Sequence, residues 1–146
     1  MVLSLTVPHA SLDAGVSELV VADLYTGLAI SGYDPVAFYV SGAPVQGRPA
    51  HELRFEQSVF RFRNEGNRAA FEANPEIYMP QFGGYDPIAL ARGVALAGNP
   101  LEWLIVGNRL YLFYSARDRA AFAASPLDAI AAAGEKWPEV VRSLIR

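Results

Sequence analysis

The sequence predicts an α+β fold: an antiparallel sheet built from two β-hairpins, with helices packed on it and an internal pseudo-twofold repeat. Three observations carry this. The phrase GYDPVAF at 32–38 returns as GYDPIAL at 84–90. The stretch VFRFRNEGNRAAFEANPEIY (59–78), moved by 51 residues, falls on LYLFYSARDRAAFAASPLDA (110–129) with seven of twenty positions identical. Usual residue frequencies would give roughly one or two. In each copy, strand-like runs flank a short polar turn and lead into a helical run. The units run from about 32 to 83 and from 84 to 135, within one domain covering 1–146. The GYDP phrases stand 52 residues apart, so one residue has been gained or lost in a loop.

The elements follow in order. Residues 1–20 are weakly patterned, and SELVVADL (17–24) is a candidate edge strand. In each unit a glycine, Gly32 or Gly84, permits a tight turn. Asp34 and Asp86 suit the position before a helix, where a carboxylate accepts from free backbone N–H groups. Pro35 and Pro87 then suit the first helical position, where a missing N–H costs nothing. The helices PVAFYVS and PIALAR stop at Gly42 and Gly93.

A hairpin comes next. ELRF and VFRFR flank Gln57-Ser58, and LEWLIV and RLYLFYS flank Gly107-Asn108, the stronger turn signal. Phe60 and Phe62 alternate with Arg61 and Arg63, as on a strand with one wet face. LYLFY (110–114) is apolar throughout, as on a strand covered on both faces or lying at a subunit contact. Ser115-x-x-Asp118 reads as a capping box, and Asn64 holds the corresponding place in the first unit. Phe71 and Phe122 fall on buried helix faces. Asn74-Pro75 and Ser125-Pro126 end these helices, because the residue before proline avoids α geometry. A last helix is expected from Pro138, with Val140, Val141, Leu144 and Ile145 on one face.

Composition narrows the function classes. The chain is 52% hydrophobic and 18% charged, ordinary for a globular protein large enough to stand without metal or disulfides. A net charge of −3 and no run of basic residues argue against nucleic acid as a partner. The longest apolar run falls short of the roughly 18 residues that span a bilayer, so no membrane partner is expected. No cysteine is present, which removes disulfides, thiolate metal sites and thiol nucleophiles. The opening MVLSLTVPHASLDAG lacks a basic start and reaches Pro8 too early for a signal segment. A cytoplasmic location is therefore expected, or a periplasmic one if a leader has been removed.

Few residues offer chemistry. His9 and His51 are the two histidines, and neither has a partner at metal-ligand spacing. Phosphate-loop, dinucleotide and nucleophile-elbow patterns are absent. Asp34 and Asp86 would face each other if the units pack about a twofold axis, and paired carboxylates can share a proton or a hard cation. Helix capping is the competing reading of both. NPEIYMPQFGGYDP (74–87) gathers Tyr78, Gln81, Phe82 and Tyr85 around Gly83-Gly84. With Tyr33 these aromatics could line a pocket, although packing of helix starts explains tyrosines equally well.

These motifs together resemble a known family. Residues 29–90, with GYDPVAF, NPEIYMPQFGGY and the phenylalanine strand between them, resemble YHS-domain proteins of the bacterial type GYDPVAYF…PqyGGyC. The tail PLEWLIVGNRLYLFYS…WPEV resembles the C-terminal part of the same family. The resemblance implies a small α+β module, sometimes attached to metal transporters or oxygenases, for which metal binding has been proposed. Positions where metal-competent members carry cysteine hold Ala37, Arg63, Asn67 and Asp86 here, so thiolate binding does not transfer. Asparagine is usual where Phe113 stands.

The reading that follows is a non-enzymatic YHS-like module that binds a small ligand or a protein through Tyr33, Asp34, Tyr78, Gln81, Phe82, Tyr85 and Asp86, with no cofactor. One alternative is a hard-metal site on Asp34 and Asp86 with His51. Another is a homodimer formed through strand 110–114. An enzyme, which would need a carboxylate tuned by burial, ranks last.

Overall fold

The computed structural model describes residues 20–23 and 26–145. His9 and half of the candidate edge strand (17–19 and 24) lie outside them. The chain is α+β, with helices and two antiparallel hairpins. Helix α1 (Ala37–Val40) leads to β1 (Arg48–Phe55) and β2 (Ser58–Phe62), then α2 (Glu65–Ala73) and α3 (Pro75–Tyr78). Helix α4 (Pro87–Ala91) leads to β3 (Asn99–Val106) and β4 (Arg109–Phe113), then α5 (Ala116–Ala124) and α6 (Pro126–Leu144). Single turns of 3₁₀ helix at Ile30–Gly32 and Gln81–Gly84 precede the two GYDP aspartates.

The hairpins agree residue by residue. Arg48 pairs with Phe62 and Phe55 with Ser58, while Asn99 pairs with Phe113 and Val106 with Arg109. Each first strand is interrupted at the same place, between Arg48 and Glu52 and between Asn99 and Trp103. Gly107 and Asn108 both have positive φ, 58° and 59°, as the tightest hairpin turn demands. The first hairpin turns one residue earlier than expected, at Glu56-Gln57, with Glu56 at φ 54°. The extra residue of the first segment falls between Pro35 and Gly42, inside its short helix region rather than in a loop.

The two hairpins do not join into one four-stranded sheet; each is a separate two-stranded sheet. The reason lies at the edge of β2. Residues 27–29 run beside it, with Ala29 N–H donating to Val59 O and Val59 N–H to Gly27 O, both at 2.9 Å. That edge is therefore taken by the segment entering the first turn. In the described part of 17–24, Ala22 makes an isolated bridge to Ala29 and Val21 N–H donates to Gly83 O at 2.8 Å.

Side chains, not a shared ladder, connect the hairpins. Phe60 and Phe62 of β2 and Leu110 and Leu112 of β4 belong to one core with Ile30, Val36, Phe38 and Phe71. Trp103 of β3 meets Phe38 edge-on at 5.3 Å. The other face of β4, Tyr111 and Phe113, packs against Phe122 of α5. Residues 110–113 are thus covered on both faces by their own chain, whereas Tyr114, at the end of the apolar run 110–114, is exposed.

The last helix starts at Pro126 and runs through Pro138, rather than beginning there. Pro126 fills the first helical position, where proline is favoured. Pro138 forgoes the hydrogen bond to the Gly134 carbonyl. Burial of Ala133 and Val140 against Leu90 of α4 holds the helix on both sides of that gap. Val140 and Val141 are buried as expected, whereas Leu144 and Ile145 are exposed. No helix among the described residues is long and apolar enough to cross a membrane.

Candidate functional site

The GYDP aspartates are buried structural acceptors. Asp34 Oδ1 accepts from the N–H groups of Val36 (2.8 Å) and Ala37 (3.2 Å). Its Oδ2 accepts from Arg63 N–H (2.9 Å) and from the Asn67 amide (2.8 Å). Asp86 repeats the pattern, with Oδ1 accepting from Ile88 (2.7 Å) and Ala89 (3.2 Å) and Oδ2 from Tyr114 N–H (2.7 Å). Both residues are fully buried. A carboxylate has about four acceptor positions, so Asp34 is saturated and Asp86 has one left, facing Asp118. All these partners come from the aspartate's own segment. The pairing of Asp34 with Asp86 that a hard-cation site would need is therefore not what these side chains do.

His51 sits within β1, and its Nδ1 lies 3.6 Å from Glu65 Oε2. Among the described residues, no three His, Asp or Glu side chains gather as a metal ion would need. The capping box expected at Ser115 is half present. Ser115 Oγ accepts from Asp118 N–H at 3.2 Å, but the Asp118 carboxyl turns to Asp86 instead of back to the cap. Asn64 and Asn67 do the same in the first segment, with Asn67 turned to Asp34.

A cleft of about 480 Å³ lies where the tip of the first hairpin, the Gln81–Gly84 turn and helix α6 meet. That volume falls within the range of small-molecule sites. Its walls are Phe55 at the end of β1, Met79, Phe82 and Trp137. Gln81 and Glu76 are the residues with polar side chains in the lining. Pro75 and Pro80 stiffen the loop beneath. Phe82 adopts φ 54°, an uncommon conformation for a bulky side chain, and is followed by Gly83 and Gly84 at φ 62° and 87°. This turn places the Phe82 ring edge-on to Trp137, with centroids 5.8 Å apart, and 6.5 Å from Tyr111. Glu76 is exposed; its backbone carbonyl accepts from the Arg109 guanidinium at 3.2 Å.

Gln81 and Phe82 are the two expected ligand residues that line the cleft. Tyr78, two residues before Pro80, packs edge-on against Tyr39 at 5.5 Å. Tyr85 supports the cleft from behind, its ring 5.9 Å from Trp137, and burial pushes its hydroxyl above the usual tyrosine range. Tyr33 packs on the main core. Trp137, Phe55 and Met79 were not among the expected residues. They come from three distant parts of the chain, and only Met79 lay in the loop where aromatics and glycines cluster.

Compared with protein-family models, curated proteins and solved structures, the chain matches none significantly.

Proposed function

We propose that this chain is a small non-enzymatic binding module, similar in kind to YHS domains, that holds an apolar small molecule in the cleft between the first hairpin and helix α6. The observation that carries this is the lining. Three aromatic rings and a thioether surround about 480 Å³, and Gln81 offers an amide to orient a guest. Glu76 is the one charged side chain among the lining residues. It disfavours anions, and it complements a cation drawn to the faces of Phe82 and Trp137. The guest is therefore a neutral or cationic aromatic or alkyl compound. Glu76 is exposed and has no second carboxylate or imidazole among the lining residues, an arrangement suited to binding rather than proton transfer.

Saturation-transfer NMR with benzyltrimethylammonium, benzyl alcohol and benzoate tests this reading. Transfer to the first two, lost in a Trp137→Ala variant, is the expected result. Equal transfer to benzoate, or transfer unaffected by the variant, would contradict it.

A further inference from the structure

The two segments differ at one buried contact. In the first, the Asn67 amide donates to Asp34 Oδ2 at 2.8 Å. The residue standing 51 positions later is Asp118. Like Asn67 it is the third residue of its helix, with its own N–H given to the cap, Ser115 Oγ in one case and Asn64 Oδ1 in the other. Like Asn67 it directs its side chain to the buried aspartate, here Asp86. Asp86 already accepts from Ile88, Ala89 and Tyr114. Ionised carboxylates only accept hydrogen bonds, so two of them cannot bond to each other without a proton between them.

We propose that Asp86 and Asp118 share one proton, and that this acid–carboxylate pair is a pH-sensitive latch tying the start of helix α4 to helix α5. At low pH the shared proton supplies the donor that Asn67 supplies in the first segment. When it leaves, two like charges face each other, one on buried Asp86 and one on half-buried Asp118, and the tie is repelled.

Among the described residues, no basic side chain is paired with either carboxyl. On α5, Arg119 is engaged with Glu102 of β3 at 3.3 Å and Arg117 is exposed. Helix α4 has no charged side chain before Arg92, and the β4 end contributes the N–H of Tyr114 with its ring exposed. On α6, packed against α4, the charged residues Asp128, Glu135, Lys136, Glu139 and Arg142 are exposed. Burial raises Asp86 above the ordinary carboxylate range, and the bond and charge of Asp118 push the same way. The N–H groups of Tyr114 and Ala89 oppose this. A carboxyl raised in the folded state stabilises below its unfolded value, and that contribution is lost as pH rises through the folded one.

Thermal melts of the full chain and an Asp118→Asn variant at about pH 4.5 and about pH 7.5, either side of the carboxylate range, test the latch. Asparagine restores a permanent donor. The variant should therefore melt about 3 °C above the parent at the higher pH, a difference typical of one such interaction in a domain this size. The gap should close at the lower pH. The helix start favours a charged Asp118, which by itself would make the variant less stable at the higher pH. A lower melting temperature there, or a gap independent of pH, would overturn the proposal. The converse variant, Asn67→Asp, creates the pair in the first segment and should melt lower at the higher pH, recovering at the lower. Its failure to do so would overturn the proposal even if Asp118→Asn did not fold.

Discussion

The backbone N–H of Arg63 donates to Asp34 Oδ2 at 2.9 Å, so the carboxylate that opens helix α1 also fastens the end of strand β2, 29 residues away. Asp86 and Tyr114 repeat the bond at 2.7 Å. Each GYDP aspartate thereby joins a helix start to the far end of the hairpin that follows it. That dual use requires a side chain with acceptors on both oxygens.

Asparagine at these positions distinguishes the two aspartates. In Asp34→Asn, the new amide points a donor at the Arg63 N–H and the Asn67 amide. Urea denaturation should show a loss of about 2–4 kcal/mol, the scale of buried donors left unpaired. In Asp86→Asn the same amide opposes Tyr114 but gains the Asp118 carboxyl as acceptor. Its loss should be smaller by at least about 1 kcal/mol. Equal losses would contradict the environments described for the two aspartates.

Glycine substitutions should sort by contact. A Cβ on Gly98 would lie 2.5 Å from both Gly84 O and Leu112 Cβ, so the backbone must move. Gly98→Ala should destabilise by about 3 kcal/mol or more, as overpacking against a core does. A Cβ on Gly134, within helix α6, meets nothing within 4 Å. Gly134→Ala should stabilise by roughly 0.5–1 kcal/mol. Melting curves of the two variants moving in the same direction would count against this packing.

Three tyrosines set the alkaline limit. Burial raises Tyr85, Tyr39 and Tyr111 above the usual phenol range, with Arg109 partly offsetting it at Tyr39 and Tyr111. A group raised on folding favours the folded chain below its unfolded value, about 10 for tyrosine. That contribution fades as pH rises through the folded value. Phenolate absorbance and circular dichroism followed together should show the last tyrosines ionising along with loss of structure. Complete ionisation before any unfolding would refute their burial.

Local chemistry was legible in the sequence, and long-range contact was not. The Asp86-Pro87 helix start, the Gly107-Asn108 turn and the alternation at Phe60 and Phe62 are local rules, and all three hold. In the first segment Asp34 accepts from Val36 and Ala37 as a cap would, but helix α1 begins only at Ala37, so Pro35 stands before it rather than at its first position. Ser125-Pro126 reads equally as a helix stop and as a helix start. It is both, which is why Pro138 looked like the beginning of a helix that had already run three turns. The separation of the hairpins depends on residues 27–29 taking the edge of β2, a competition that no local pattern announces. Gly98 gave no turn signal, since its need arises from Gly84 and Leu112 across the fold. Gln81 and Phe82 stood out beside the glycines. Their partners Phe55 and Trp137 are single aromatics at a strand end and on a helix, indistinguishable in sequence from core residues.

The doubled phrase therefore belongs to the scaffold, and the proposed binding belongs to the cleft. Titrating N-phenylnaphthylamine, a neutral aromatic amine whose fluorescence rises in apolar surroundings, into the parent chain and into the Trp137→Ala and Asp86→Asn variants separates these roles most directly. The account predicts saturable binding to the parent and to folded Asp86→Asn, weakened at least about tenfold by Trp137→Ala, the effect of losing roughly 1.4 kcal/mol of contact. Binding that survives Trp137→Ala and disappears with Asp86→Asn would contradict it.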